Sequence, residues 1–279
     1  MKFTLSLLLL IFFTKLTNCE VYYITPSTNG SCKEHCITLS QFADSINQLI
    51  RTNTTLIFSP GSHSLSTNVS VSRLNYFSMK SANGDSTSTT ICMTKSVSFQ
   101  FNSVTQVHID SLTLRGCTQQ NTIDNVISTT LDSSDSLDPA ISHTALIVHE
   151  TKIDILSSYF VNFSGLLWQS SVVENHTKLQ HIQVGGAIVS SRSSVWIHKS
   201  VFKRNTAQLG GAVYAESGSN IKITNCTFLD HNTTCRQKKC YGGVIFLDTS
   251  KAEATACTFQ NNAVVGTTKH IFGGVVGAF

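Results

Sequence analysis

The residues able to do chemistry in this chain are sparse: 16 Asp and Glu, 10 His, 20 Lys and Arg and nine Cys among 279 residues. Cleavage of a glycosidic bond calls for an acid and a base, usually two carboxyl groups, held close together on either side of the bond. Candidates are the polar residues interleaved in alternating apolar runs, because a sheet would hold them in line on one face. Six residues before the aromatic or leucine that ends each run stand His108, Asp154, Trp196, Lys222 and Glu253; four before it stand Asp110, Leu156, His198, Thr224 and Thr255. These columns are mixed and hold no acidic cluster, so no catalytic residue is assigned. Asp110 and Asp154 become neighbours only if their two runs stack directly. Lys222 beside Glu253 reads as a cross-strand ion pair on a solvated face.

Cysteines and asparagines carry the other chemistry. Residues 1–19 combine Lys2, the apolar stretch from Leu5 to Phe13 and short residues at Thr17 and Cys19, the pattern of a secretory signal peptide cleaved near Glu20. The apolar stretch is about half the roughly 20 residues a membrane span requires, and no later segment is long enough to cross either. Loss of Cys19 with the leader leaves eight cysteines, an even number suited to disulfides in an oxidising compartment. No Cys-x-x-Cys pair exists and the histidines are scattered, so neither a metal nor any other cofactor is expected. Asn-x-Ser/Thr sequons at Asn29, Asn53, Asn68, Asn162, Asn175, Asn225 and Asn232 point the same way. Several of these, not all, are expected to carry glycan, and Asn225 is the weakest candidate because it lies between strand residues and beside Cys226. The expected localisation is secreted or on the outer cell surface.

The elements that must position these residues announce themselves by repetition. Gly185-Gly186-Ala187-Ile188, Gly210-Gly211-Ala212-Val213, Gly242-Gly243-Val244-Ile245 and Gly273-Gly274-Val275-Val276 recur at separations of 25, 32 and 31 residues. The first three are followed by an alternating run and a Phe: Phe202, Phe228 and Phe259. Seven and five residues before that Phe lie Val195 and Ile197, Ile221 and Ile223, Ala252 and Ala254. The same spacing finds Ile153, Ile155 and Phe160, and Val107, Ile109 and Leu114. Such a unit cannot enclose its own apolar face, but stacked units can, with Phe over Phe and Ile over Ile. Gly pairs, together with Asn205 and Asn262, are expected at corners of positive φ. The period and the β-branched, alternating pattern exclude helical repeats and predict an all-β, right-handed parallel β-helix, with a hairpin sandwich as the competing reading.

The GGAI, GGAV and GGVI units, with Phe-Lys-Arg-Asn ending at Asn205 and Phe-Gln-Asn-Asn ending at Asn262, resemble repeats of the chlamydial polymorphic outer-membrane proteins and of extracellular right-handed β-helix proteins generally. Phe228 departs, with Asn232 four residues on, and the Phe160 copy lacks the glycine pair. Upstream, the strand Val21–Ile24, the helical face Leu39, Phe42, Ala43, Ile46, Leu49 and Ile50, the strand Thr55–Phe58 and the turn Pro60-Gly61 resemble the start of pectin-lyase-like β-helices, where a helix covers the open end of the core. Thr38 or Ser40 can cap that helix. Polysaccharide lyases and hydrolases among such proteins set acidic residues on the outer strand face. Val195-Trp196-Ile197-His198 is similar to a pectate-lyase strand motif, but His198 replaces its Asp.

This organisation reads as a signal peptide at 1–19, an N-terminal cap at 20–60 and a solenoid at 61–279. Gly273 to Phe279 begins a coil and stops, so further coils or domains are expected to follow in a longer protein, and residues 20–279 alone should self-associate. Stacked coils lie about 4.8 Å apart, within reach of a disulfide, which pairs Cys226 with Cys257; an unbonded cysteine stack is the alternative. Cys235 pairs with Cys240, Cys32 with Cys36, and Cys92 with Cys117 by subtraction. The net charge of +4 falls to about +2 without Lys2 and Lys15, and no glycine loop precedes a helix, so nucleic acid is not an expected partner. Two insertions, 118–143 and 162–184, leave the solenoid after the same template position and should emerge on one side. The resulting expectation is a recognition or adhesion module for a glycan or cell-surface protein, without catalysis; a polysaccharide lyase or glycoside hydrolase is the alternative.

Overall fold

The computed structural model describes residues 19–26, 36–49, 53–94, 96–117, 144–169, 181–235, 240–241, 243–266, 271–272 and 275–278. Among the described residues the chain winds through seven coils, each giving one strand to each of three sheets. Sheet A runs Cys36–Ile37, Cys19–Ile24, Asn53–Phe58, Tyr76–Ser81, Gln106–Asp110, Lys152–Leu156, Ser194–His198, Asn220–Thr224 and Lys251–Thr255 in spatial order. Sheet B runs Gly61–Leu65, Thr89–Met93, Thr113–Gly116, Tyr159–Val161, Val201–Lys203, Thr227–Leu229 and Thr258–Gln260. Sheet C runs Val69–Ser72, Phe99–Asn102, Leu146–His149, Ile188–Ser191, Val213–Glu216, Ile245–Leu247 and Val276–Ala278. Neighbouring strands in all three are parallel. This is an all-β parallel solenoid.

The register is the one the repeat demands. Leu114, Phe160, Phe202, Phe228 and Phe259 form one column. Four of its rings stack nearly flat, with centroids 4.8, 4.9 and 4.8 Å apart. Val107, Ile153, Val195, Ile221 and Ala252 form a second column, and Ile109, Ile155, Ile197, Ile223 and Ala254 a third. The register also continues below Val107 and Ile109 to Phe77 and Met79, and from these to Thr54 and Leu56, where the sequence repeat has faded.

Corners differ from the expectation in one instructive respect. The left-handed residue after each Phe is Asn162, Arg204, Asp230 or Asn261, not Asn205 or Asn262, which lie one position later. Asn205 instead turns inward and is fully buried. Its Oδ1 accepts the Phe163 N–H at 3.0 Å, and its Nδ2 donates to the Phe160 carbonyl at 3.0 Å. Asn262 does the same for His231 N–H and the Phe228 carbonyl, at 3.0 and 3.1 Å. The other two corners use hydroxyls. Thr151, Ser193, Ser219 and Ser250 each accept an N–H from the preceding coil, at 3.1, 3.1, 3.2 and 3.1 Å. Each also donates to a carbonyl two or three residues upstream. Ser158 and Ser200 repeat this at the remaining corner. The Ser/Thr-rich composition is thus a set of vertical ladders that satisfy buried corner amides.

The N-terminal helix, Leu39–Leu49, begins with a capping box: Gln41 N–H donates to Thr38 Oγ1 at 3.2 Å, and Thr38 N–H donates to Gln41 Oε1 at 2.9 Å. Leu39, Phe42, Ala43 and Ile46 join the core cluster of the solenoid. The strands around this helix are continuous with sheet A, so the segment 20–60 shares one sheet with the later coils.

Candidate functional site

Both long insertions leave between sheets B and C, on one flank of the solenoid, as their shared template position requires. Residues 118–143 lie outside the described residues. Of the second, Leu166–Gln169 and His181–Val184 form an antiparallel hairpin. Leu166, Val184 and Leu209 pack over an outer column of sheet C formed by Val189, Tyr214 and Phe246, which is buried as a second apolar cluster. Burial and the Glu216 carboxylate, 3.1 Å from the phenol, push the Tyr214 ionisation well up. In the last two coils the same flank pairs Asn232–Cys235 with Ala263–Gly266 and Cys240–Tyr241 with Ile271–Phe272, both in parallel. This flank covers the outside of sheet C at Val189, Tyr214 and Phe246, in coils four to six.

Sheet A is open by contrast. Its outer face carries Ser78, His108, Asp154, Trp196, Lys222 and Glu253 in one register column, and Lys80, Asp110, Leu156, His198, Thr224 and Thr255 in the next. Coils three and four do stack directly, which sets Asp154 against His108 and leaves Asp110 diagonal to it. Asp154 Oδ2 accepts from Gln106 Nε2 at 3.1 Å, while its Oδ1 is shielded without a hydrogen-bond partner. Trp196 is 48% exposed, the largest exposed aromatic of this face, and Lys152 Nζ sits 4.8 Å over its ring. Lys222 and Glu253 are register neighbours, yet no ion pair within 4 Å joins them, because both side chains are exposed and are drawn out into solvent. Gln106, Lys152 and Lys251 escaped the sequence reading. They stand one further outward position upstream on the same alternation, and extending the template by two residues finds them.

The cysteines divide. Cys92 and Cys117 are bonded, with Cα atoms 5.6 Å apart, and clamp coil two to coil three on sheet B. Cys36 is disulfide-bonded; Cys32 lies outside the described residues. Cys226 and Cys257 are free thiols, not the disulfide expected. Their physical role explains this: each occupies the ladder position of Ser158 and Ser200, and their Sγ atoms donate to the Thr224 and Thr255 carbonyls at 3.3 and 3.4 Å. Burial pushes the Cys226 thiol up to about 11, so it is a poor nucleophile. Cys235 and Cys240 lie in paired strands of the flank, and their side chains are outside the described residues.

Of the sequons, Asn68, Asn225 and Asn232 are exposed, and Asn53 and Asn162 are half-buried. Asn29 and Asn175 fall outside the described residues. Asn225, set apart in the sequence reading, is exposed on a left-handed corner. Asn68, Asn162 and Asn232 all lie between sheets B and C.

A family described as "Right handed beta helix region" matches residues 165–270. The chain is a right-handed parallel β-helix. The matched span begins in the fourth coil, while the same three-sheet register starts at Asn53, so the fold extends well upstream of the recognisable repeat. No curated protein and no solved structure matches this chain. Among the described residues no helix is long and apolar enough to cross a membrane, and no group of three or more His, Cys, Asp or Glu is placed to hold a metal ion.

Proposed function

We propose that this β-helix is a secreted or cell-surface recognition or adhesion module, non-catalytic, that presents the outer face of sheet A to a glycan. The observation that carries the reading is Trp196, 48% exposed in the seventh of the nine strands of sheet A, with polar Asp154 and Lys222 as its register neighbours, while the apolar outer column of sheet C is buried under its own hairpin. An aromatic ring offers an apolar platform to the C–H face of a sugar, and surrounding amides, imidazoles and hydroxyls can take its hydroxyl groups. Disulfide bonding at Cys92, Cys117 and Cys36 supports an oxidising compartment. The likeness of the repeats to the chlamydial polymorphic outer-membrane proteins supports a surface setting. Exposed or half-exposed sequons on the flank between sheets B and C would direct added glycans away from Trp196.

The test is binding of the secreted chain to a glycan array and to intact cells, with Trp196→Ala compared at matched melting temperature. Loss of at least about tenfold in affinity is expected, the size of effect an aromatic anchor carries. Undiminished binding would move the site to the loops between sheets B and C. Release of new reducing ends or unsaturated uronates from soluble polysaccharides would replace recognition by a lyase or hydrolase reading.

A further inference from the structure

Building on the recognition reading above, we infer that the ligand of sheet A is a sulfated polysaccharide, held over coils four to six by Lys152 and Lys222 on either side of Trp196 and by Lys199 at the corner that follows His198. Cations outnumber acids on and beside this face in coils four to six. Arg192 reaches Glu150 at 3.5 Å, and Glu150 also lies 3.6 Å from His149. Asp154 accepts from the neutral amide of Gln106, and Asp110, one coil lower, from Ser111 Oγ at 2.8 Å, contacts that cancel no charge. Against the single carboxylate Asp154, coils four to six carry exposed Lys152, Lys199 and Lys222, of which Lys152 also lies 4.8 Å over the Trp196 ring. The free acid, Glu253, lies one coil further on.

Spacing makes these cations act together. Lys152 stands on the strand of coil four and Lys222 on that of coil six, two steps of about 4.8 Å apart, comparable with the screening length of about 8 Å at physiological salt. A chain bearing repeated negative charge meets their summed field, whereas a single small anion would meet one lysine. The donor type then selects among polyanions. The planar fork of arginine serves carboxylates and tetrahedral oxyanions alike, but Arg192, at the corner before Ser194, is paired with Glu150. Lysines are point charges that suit the three equivalent oxygens of a sulfate. Between them lie neutral hydrogen-bonding groups, Ser194, Asn220 and Thr224, for sugar hydroxyls, and the ring of Trp196 for a pyranose face.

Heparin is the probe. The full chain is titrated onto immobilised heparin, alongside Lys152→Gln/Lys222→Gln, Lys199→Gln, Trp196→Ala and, as a control on sheet B, Lys203→Gln. Each sheet A lysine removed is expected to weaken binding about fivefold, so roughly 25-fold for the pair, with a shallower salt dependence. Lys203→Gln should leave affinity unchanged, and all variants should melt with the parent. Equal loss with Lys203→Gln, or none with the sheet A pair, overturns the placement. Equal affinity for single-stranded DNA or polygalacturonate overturns the sulfated class. No heparin binding, together with Trp196-dependent binding to a neutral glycan on the array, overturns this inference while leaving the recognition reading intact.

Discussion

His231 holds the ladder position that Asn205 and Asn262 fill in the adjacent coils. Its Nδ1 lies 3.1 Å from the Asn205 N–H and 2.9 Å from the Asn205 carbonyl, and its Nε2 is buried without a partner. Burial pulls its ionisation down to about 4, against a smaller upward pull from the Asn205 backbone and from Asp230. The imidazole is therefore neutral when folded, and the unfolded chain takes up the proton first as pH falls. Stability is full above the ordinary histidine range and declines toward about pH 4, by about 2 kcal/mol between about pH 7 and about pH 5. His231→Asn, which restores the amide seen in the neighbouring coils, should remove most of that slope in urea titrations at the two pH values; an unchanged slope would place the acid sensitivity elsewhere. At this scale the sequence was half informative. Equal offsets from Phe identified the positions of Cys226 and Cys257, but not that the position is a hydroxyl ladder, because the serines that define it bond to backbone atoms a whole coil away. The same long range hid the inward turn of Asn205.

At the scale of the repeated element, the glycine pair is the feature most open to a direct test. Gly185 and Gly210 lie at φ of +54° and +64°, and a Cβ on the second glycine of the first pair, Gly186, would collide with the Gly211 carbonyl of the next coil. Gly211 in turn approaches the Gly243 carbonyl, 2.6 Å from where its own Cβ would stand. The first glycine makes the corner, and the second lets backbones stack at the spacing the sheets impose. Gly186→Ala should cost about 3 kcal/mol in urea denaturation, the upper range for forced overpacking. Gly218→Ala, at φ of +83° with nothing near its Cβ, should cost about 1 kcal/mol from the left-handed conformation alone. Equal costs would show that close approach is not the constraint. The strands themselves were legible, since Val195-Trp196-Ile197 alternates in the residues and in its burial. Coils one and two were not, because Phe77 lies over Thr54 and Leu56 under Met79, so equivalent positions carry different residue types and only the register unites them. The hairpin against sheet C was equally hidden, since its partners Val189, Tyr214 and Phe246 read as ordinary strand residues.

In the whole molecule, stability is a sum of coil and neighbour terms, so protection should follow position along the axis. Val107, Ile153, Val195 and their stacked partners are buried between coils on both sides, and the Cys92–Cys117 bond fastens coil two to coil three. In the seventh coil Ala252 and Ala254 are exposed and Phe259 is only half-buried. Amide exchange in the 279-residue chain should therefore be slowest in strands 107–109, 153–155 and 195–197 and fastest in 251–260. Reduction of Cys92–Cys117 should speed exchange in coils two and three before it reaches coil six, because each coil feels chiefly its neighbours. Uniform protection that collapses everywhere at once would mean a globally cooperative unit and would refute the additive picture. The same gradient gives a readout of the sheet A site that affinity alone lacks: a polysaccharide chain spanning Lys152 to Lys222 bridges three coils, and a ligand that binds only the folded arrangement stabilises what it bridges. Saturating heparin should slow exchange most in 152–156, 194–198 and 220–224, with less change in 61–65 and 89–93; slowing confined to sheet C would locate the ligand on the opposite face of the solenoid.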